Sequence, residues 1–234
     1  MKYKKDSLGT RMKTYEEVSR NFLIKKVPVI IRLDGKSFHT LTRHCDKPFD
    51  SRIMDAMSNS VEYLVNNIQG CKVSYTQSDE ATLLLTDYED IKTGCWFEYN
   101  VQKLTSIAAS MMSVAFNHYY KPDKFQVFDA RAFNIPKEDV VNCFLWRAKD
   151  WERNSIQMLA QANFSHKELQ GLNQEKLHNL LHTIGKNWTT DLTDREKNGR
   201  FFIKNPDNKF IIKDDIKPTY LSIEEELRDL IYTT

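Results

Sequence analysis

Apolar and polar positions alternate along the chain in two patterns: unbroken β-branched runs, and stretches with helical spacing. Val29-Ile30-Ile31-Arg32-Leu33 is entered at Pro28 and closed by Asp34-Gly35. A short apolar run so bounded predicts a buried strand over 27–33, with Asp34 at its C-terminal mouth and Gly35 allowing a tight backbone turn. Ile53, Met57, Val61, Leu64 and Ile68 then recur at helical spacing, with Asp50 or Ser51 as N-cap and Gly70 as stop. Two β-like runs, 72–76 and 81–85, flank Gln77-Ser78-Asp79-Glu80, a four-residue hairpin turn. Val101, Leu104, Ala108, Met111 and Ala115 share one face of a second long helix over 100–120.

Weaker signals complete the pattern. Residues 14–23 read as a short helix and 125–128 as a strand, and Pro136-Lys137-Glu138-Asp139 opens a helix running to about 162. Ser165-x-x-Glu168 and Ser222-x-x-Glu225 fit capping boxes, and Asn198-Gly199 is a turn. The order strand, helix, hairpin, helix, strand predicts an α+β fold, an antiparallel sheet with two helices on one face. A mainly helical part follows. We read one catalytic domain over 1–234, with its core at about 27–135 and a helical extension at about 136–234.

Composition narrows the setting without naming a partner. The chain has 234 residues, 41% hydrophobic, with a formal charge of +2, so it can bury a sizeable core and carries no polyanion-binding excess. Lys2, Lys4, Lys5, Arg11 and Lys13 crowd the N-terminus, as solvated ends often do. Cys45, Cys71, Cys95 and Cys143 are widely spaced, without the C-x-x-C of a zinc ribbon, which suits a reducing compartment. With a charged N-terminus and no long apolar run, neither a signal peptide nor a membrane span is expected. A cytoplasmic protein is expected, with organelles left open.

Candidate chemistry starts from two carboxylates. If the 27–33 strand and the hairpin share a sheet, Asp34 and Asp79 converge at one edge. Paired acids there suit Mg²⁺, a hard ion that takes oxygen ligands and keeps waters for phosphates. Two such ions can activate an attacking hydroxyl and stabilise a leaving pyrophosphate. Glu80 adds a third acid, as ligand or outer charge. The turn Gly35-Lys36-Ser37-Phe38-His39 offers backbone N–H groups and basic side chains to a triphosphate. Acids in turns are also common as merely solvated groups, and spacing alone does not separate the two readings.

The two segments together resemble a known family. Ile31-Arg32-Leu33-Asp34-Gly35-Lys36-Ser37-Phe38-His39 with Tyr75-Thr76-Gln77-Ser78-Asp79-Glu80 is similar to the tRNA(His) guanylyltransferase superfamily, whose enzymes add nucleotides in the 3′-to-5′ direction. The family pattern, R-L-D-G-x-x-F-H followed by Q-S-D-E, is matched in order, and the resemblance covers most of residues 7 to about 205. It implies a polymerase-like palm. It implies Asp34, Asp79 and the Gly35 carbonyl as ligands of two Mg²⁺ ions, with Glu80 as the adjacent acid. It implies Gly35, Lys36, Ser37, Phe38 and His39 as triphosphate cradle, Lys47 and Asp50 near the base, Ser78 as a nucleotide contact and Lys103 near an activating triphosphate. ATP and GTP are the implied substrates with tRNA, and a homotetramer the implied assembly.

Two departures shift the implied substrate. Where tRNA(His)-specific members carry H-I-N-N, this chain reads Trp151-Glu152-Arg153-Asn154, and two arginines preceding the family lysine are Tyr99 and Asn100. Both changes resemble the bacterial, archaeal and protist guanylyltransferase-like proteins, which favour templated repair of tRNAs lacking 5′ nucleotides. The expected activity is therefore template-dependent addition to tRNA 5′ ends. Strict tRNA(His) guanylyl addition, a palm-type nucleotide cyclase and a catalytically silent tRNA-binding protein are the alternatives. Arg147, Lys149, Arg153 and Asn154 are expected to meet tRNA phosphates. His178 and His182 have the spacing of a metal pair but no third ligand, and read as packing or surface residues. Met111-Met112 reads as core filler.

Overall fold

A computed structural model describes residues 7–232; Lys2, Lys4 and Lys5 lie outside the described residues. In chain order the elements are α1 (Leu8–Glu17), β1 (Val29–Gly35), α2 (Phe38–Leu41), α3 (Ser51–Asn67), β2 (Cys71–Gln77), β3 (Glu80–Leu85), α4 (Val101–Tyr120), β4 (Phe128–Asn134) and α5 (Lys137–Gln161). They continue as α6 (His166–Leu169), α7 (Gln174–Thr183), α8 (Trp188–Asp191), α9 (Asp194–Asn198), β5 (Arg200–Lys204), β6 (Phe210–Lys213) and α10 (Tyr220–Tyr232).

The six strands form one sheet in the order β4-β1-β3-β2-β5-β6, with every neighbouring pair antiparallel. Alternate residues of a strand face opposite sides, so the continuous apolar run of β1 is covered twice. Val29, Ile31 and Leu33 pack with α3 and α4, through Val61, Leu64, Leu104 and Phe116. Ile30 packs with α5 and α10, through Phe144, Ile223 and Leu227. A smaller apolar cluster joins the end of α5 to α6 and α7 through Leu159, Leu169 and Leu177.

The expected α+β fold is present, and two helices, α3 and α4, share a face. The C-terminal part goes further than expected. It returns β5 and β6 to the sheet beside β2 and covers the second face with α5 and α10. The apolar residues Phe201, Phe202 and Ile203 are all buried, which a purely helical extension would not require. The sheet therefore reaches beyond the core read at about 27–135.

Local expectations divide on cap chemistry. Asp50 is the N-cap of α3, its carboxylate accepting from the Arg52 N–H; Asn100 caps α4 in the same way. The Ser165 and Glu168 capping box is formed. Ser222 instead lies inside α10, and its N–H donates to Thr219 Oγ1 at 3.3 Å. The first helix spans residues 8–17 rather than 14–23. The strand read at 125–128 begins only at Phe128, and Phe125 is 87% exposed. The hairpin turn is two residues, Ser78-Asp79, rather than four, because Gln77 pairs with Glu80. His178 rests its ring against Trp188, 6.0 Å between centroids, as a packing residue would. Met112 is buried in the core.

Candidate active site

One sheet edge brings the two motifs together. Asp34 lies directly opposite Glu80 on β3 and opposite Asp129 on β4. The Gly35 N–H donates to the Asp79 carbonyl at 3.1 Å, docking the hairpin turn onto the end of β1. The Lys36 N–H donates to the Val127 carbonyl at 2.9 Å, fixing the other side.

Gly35 is required for space rather than for an unusual φ. A Cβ there would meet the Phe38 ring at 2.3 Å and Asp79 Cβ at 3.0 Å. The left-handed conformations fall instead on Ser37 (φ 56°) and Ser78 (φ 49°). Such geometry is costly for a non-glycine residue and tends to mark functional turns. Phe38 pins the turn: it is buried, with edge contacts to Phe116 at 5.1 Å and Phe128 at 5.3 Å. Its ring anchors the cradle within the core.

A cavity of about 510 Å³ opens in front of this edge, a size that accommodates a small-molecule ligand. Gly35, Ser37, His39, Lys47, Asp50, Ser78 and Asp79 line it. Lys47 Nζ donates to the Thr42 carbonyl at 2.9 Å. Asp50 is buried as the helix cap, and the Arg52 guanidinium with two backbone N–H groups holds its carboxyl well below the usual carboxylate range. Asp34 and Glu80 are half-buried and do not line the cavity, and Lys36 is exposed outside it. Lys103 is not brought to this cavity. It borders a separate cleft with Arg20 and Lys25, its ammonium 5.6 Å from the centre of the Phe97 ring.

Asp79 is crowded by burial and by the neighbouring acids. Burial pushes the Asp79 carboxyl up to about 6, with the Asp34 and Glu80 charges adding to it and the Ser78 hydroxyl opposing it. Neither Asp34 nor Asp79 makes an ion pair among the described residues. Among those residues no three His, Cys, Asp or Glu side chains gather closely enough to hold a metal ion by themselves. The edge offers the Asp34 and Asp79 carboxylates, neither of them in an ion pair among the described residues, as oxygen donors. An all-oxygen, incomplete set of that kind fits Mg²⁺, which binds through one or two carboxylates plus substrate phosphates and waters.

Glu80 is placed differently from the other two acids. It accepts from Arg147 Nη2 at 2.6 Å and from Gln77 Nε2 at 3.0 Å. Burial raises its pKa while Arg147 opposes the rise. Arg147 also donates to Asp150 at 3.0 Å and is only 4% exposed. Arg147, expected to meet tRNA phosphates, instead turns its charge inward onto Glu80 and Asp150. Lys149 and Arg153 are exposed, Arg153 pairing with Asp150, and Asn154 is half-buried.

Three features of the site were not among the site residues expected from the sequence. Arg195 and Arg200 line the cavity and both donate to the buried Ser58 hydroxyl, at 2.8 and 3.2 Å, while Asp55 and Asp214 balance their charge. Trp151 lines it too, buried against Phe49 at 5.8 Å and donating to the Glu196 carbonyl at 3.1 Å. Asp129 joins Asp34 only through strand pairing; placing β4 three residues later would have put it there.

Comparison with known proteins gives a consistent set. The family model for tRNA(His) guanylyltransferase matches residues 9–136. The tRNA(His) guanylyltransferase of Schizosaccharomyces pombe is 25% identical over 231 residues, covering 86% of this chain and 85% of that protein. A bacterial tRNA(His) guanylyltransferase-like protein in complex with ATP superposes with a TM-score of 0.87 at 41% identity, over 96% of this chain and 97% of the other. One in complex with GTP gives 0.82 at 37% identity, over 97% and 100%.

Proposed function

This chain belongs to the tRNA(His) guanylyltransferase family and is a nucleotidyltransferase; from that premise we propose that it adds nucleotides, directed by a template, to the 5′ ends of tRNAs that lack them. The observation that carries the reading is the hydrogen bond from Gly35 to Asp79. It joins the triphosphate cradle to the acid-bearing hairpin at one wall of a nucleotide-sized cavity.

In this reading ATP or GTP occupies the cavity, with its phosphates against the 35–39 turn, toward the backbone N–H groups of residues 37–39 and beside His39, since those of Gly35 and Lys36 already donate to Asp79 and Val127. Asp34, Asp79 and the Gly35 carbonyl would hold Mg²⁺, which when bound supplies charge neutralisation for the reacting phosphates. Arg147 keeps Glu80 in place behind them. A 5′-monophosphate oxygen first bonds to the α-phosphorus of ATP as pyrophosphate leaves, unless the end already carries a triphosphate. The 3′-oxygen of the incoming nucleotide then bonds to the 5′-phosphorus as the bond to AMP or pyrophosphate breaks. Phosphoryl transfer of this kind is mostly positioning and charge stabilisation, so no nucleophilic side chain is needed.

Trp151 supports repair over strict tRNA(His) guanylylation, because a buried indole stands where the specific enzymes carry a histidine. Lys149, Arg153 and Asn154 remain available for tRNA contacts. The exposed Leu8 and Tyr15 of α1, a helix with no buried residue, suit packing between copies in a homotetramer, which light scattering tests. The four unpaired cysteines suit the cytoplasm; no described helix is long and apolar enough to cross a membrane. The test of function is direct. Purified protein with Mg²⁺ and nucleoside triphosphates extends a tRNA missing its first 5′ nucleotide, and Asp79→Ala abolishes extension. An unimpaired variant would sink the assignment.

A further inference from the structure

Behind the nucleotide cavity, across the chain segment that walls it, lies a second and more open cleft of about 810 Å³; Cys45 borders both. Its floor is fixed by the Cys45 sulfur and Tyr120 hydroxyl, 3.5 Å apart, and by Tyr120 stacked on Phe116 at 5.4 Å. One side is the segment carrying Arg43, and the other is the loop after α4 carrying Lys121 and Lys124. That loop is held in place by Asn117, whose Nδ2 donates to the Gln126 carbonyl at 2.7 Å and whose Oδ1 accepts from the Gln126 N–H at 2.9 Å.

Two properties of this surface are unexplained by folding. Arg43, Lys121 and Lys124 are exposed and make no ion pair among the described residues. Of the two acids lining the cleft, Asp55 is already paired with Arg195, leaving Asp123 alone against them. Beside Lys124 the pinned loop displays Phe125 at 87% exposure. A fixed backbone presenting an aromatic ring among uncompensated cations suits a flexible polyanion with flat bases: cations meet phosphates, and a base stacks on the ring.

We propose that this cleft seats a strand of the RNA substrate next to the reaction site, with phosphates on Arg43, Lys121 and Lys124 and a base on Phe125. The inference rests on the tRNA reading above and adds a surface to it. None of the four side chains lines the nucleotide cavity, so RNA affinity and nucleotide affinity separate in variants. The experiment measures binding of a 5′-truncated tRNA by fluorescence anisotropy across a salt series. It compares the wild type, the triple variant Arg43→Gln/Lys121→Gln/Lys124→Gln, and Phe125→Ser. GTP binding and thermal midpoint serve as controls.

Without its three phosphate-binding cations, the triple variant binds RNA at least about tenfold more weakly at low salt, and its slope of log affinity against log salt is flatter by about 2 to 3. Phe125→Ser weakens binding by about fivefold or more with the slope unchanged. GTP affinity stays at the wild-type value in both. Unchanged RNA affinity and slope in folded variants overturn the proposal. So does a loss of self-association with RNA binding intact, which would make this face a contact between copies. A wild type that binds tRNA through this cleft without extending it would refute the repair activity and leave the cleft standing. A wild type that extends tRNA, with variants binding as tightly, would do the reverse.

Discussion

Replacing Arg147 with methionine isolates what holds Glu80 at the sheet edge. The Arg147 side chain is 5% exposed, and its partners Glu80 and Asp150 are 18% and 21% exposed. Methionine keeps the length and apolar stem but leaves Glu80 buried without its counter-charge. Removing one partner of a buried pair costs roughly 3–5 kcal/mol. Asp150 retains Arg153, and both acids keep some solvent, so the lower end, about 3 kcal/mol, is expected. With urea slopes of about 2–3 kcal/mol per molar, the unfolding midpoint falls by about 1 M. Adding Glu80→Gln removes the stranded charge while an amide oxygen can still accept from Gln77. The double variant is therefore more stable than Arg147→Met alone, by about 1–2 kcal/mol. Urea titrations of the four proteins at neutral pH, in metal-free buffer, complete the cycle. An Arg147→Met midpoint within about 0.3 M of wild type, or a double variant weaker than the single, would refute the pairing.

Other perturbations test neighbouring parts. Gly35→Ala forces a Cβ into Phe38 and Asp79, so GTP affinity measured by calorimetry should fall at least about tenfold while far-ultraviolet circular dichroism stays native; undiminished affinity would show the cradle tolerates displacement. Gly199 has φ 74° and ψ −155°, a region reserved for glycine, and a Cβ would meet the Tyr75 hydroxyl at 2.6 Å. Gly199→Ala should therefore cost at least about 2 kcal/mol in denaturant unfolding, and a cost under about 0.5 kcal/mol contradicts the packing. Asp50 has a folded pKa below its unfolded value. Its charge thus contributes stability that is full above about pH 4 and is lost as pH falls toward the folded value. Asparagine keeps the cap without the charge, so Asp50→Asn should be less stable than wild type at pH 6, and the gap should begin to narrow only below about pH 4, with most of it left at pH 3; a gap already closed at pH 3, or no gap at pH 6, would refute it.

The legible parts of this molecule were those encoded locally. Pro28 and Gly35 bracket a strand by backbone chemistry, Asp50 announces a helix by capping, and Gln77–Glu80 marks a hairpin by polarity. The acid pair was readable because both acids sit at strand ends, where pairing of β1 with β3 places them. The hidden features depended on tertiary register. Burial of Arg147 comes from the charge of Glu80, distant in sequence, which outweighed the pattern of an exposed basic helix face. Arg195 and Arg200 reach the cavity because β5 adds to the sheet beside β2, and Phe201–Ile203 alone does not announce that partner. Phe125 misled for the opposite reason: its apolar ring suggested a strand, yet the loop leaves it in solvent.

Template direction is the central claim, and base substitution opposite the missing position tests it most directly. Two tRNAs, tRNA(His) and one other, are prepared without their first 5′ nucleotide and with each of the four bases at the facing position of the 3′ strand. Sequencing of the 5′ ends after reaction with all four nucleoside triphosphates reads the added residue. The account predicts that both tRNAs are extended and that the added base follows the facing base by Watson–Crick pairing. Guanosine added whatever the facing base, on tRNA(His) alone, would contradict it.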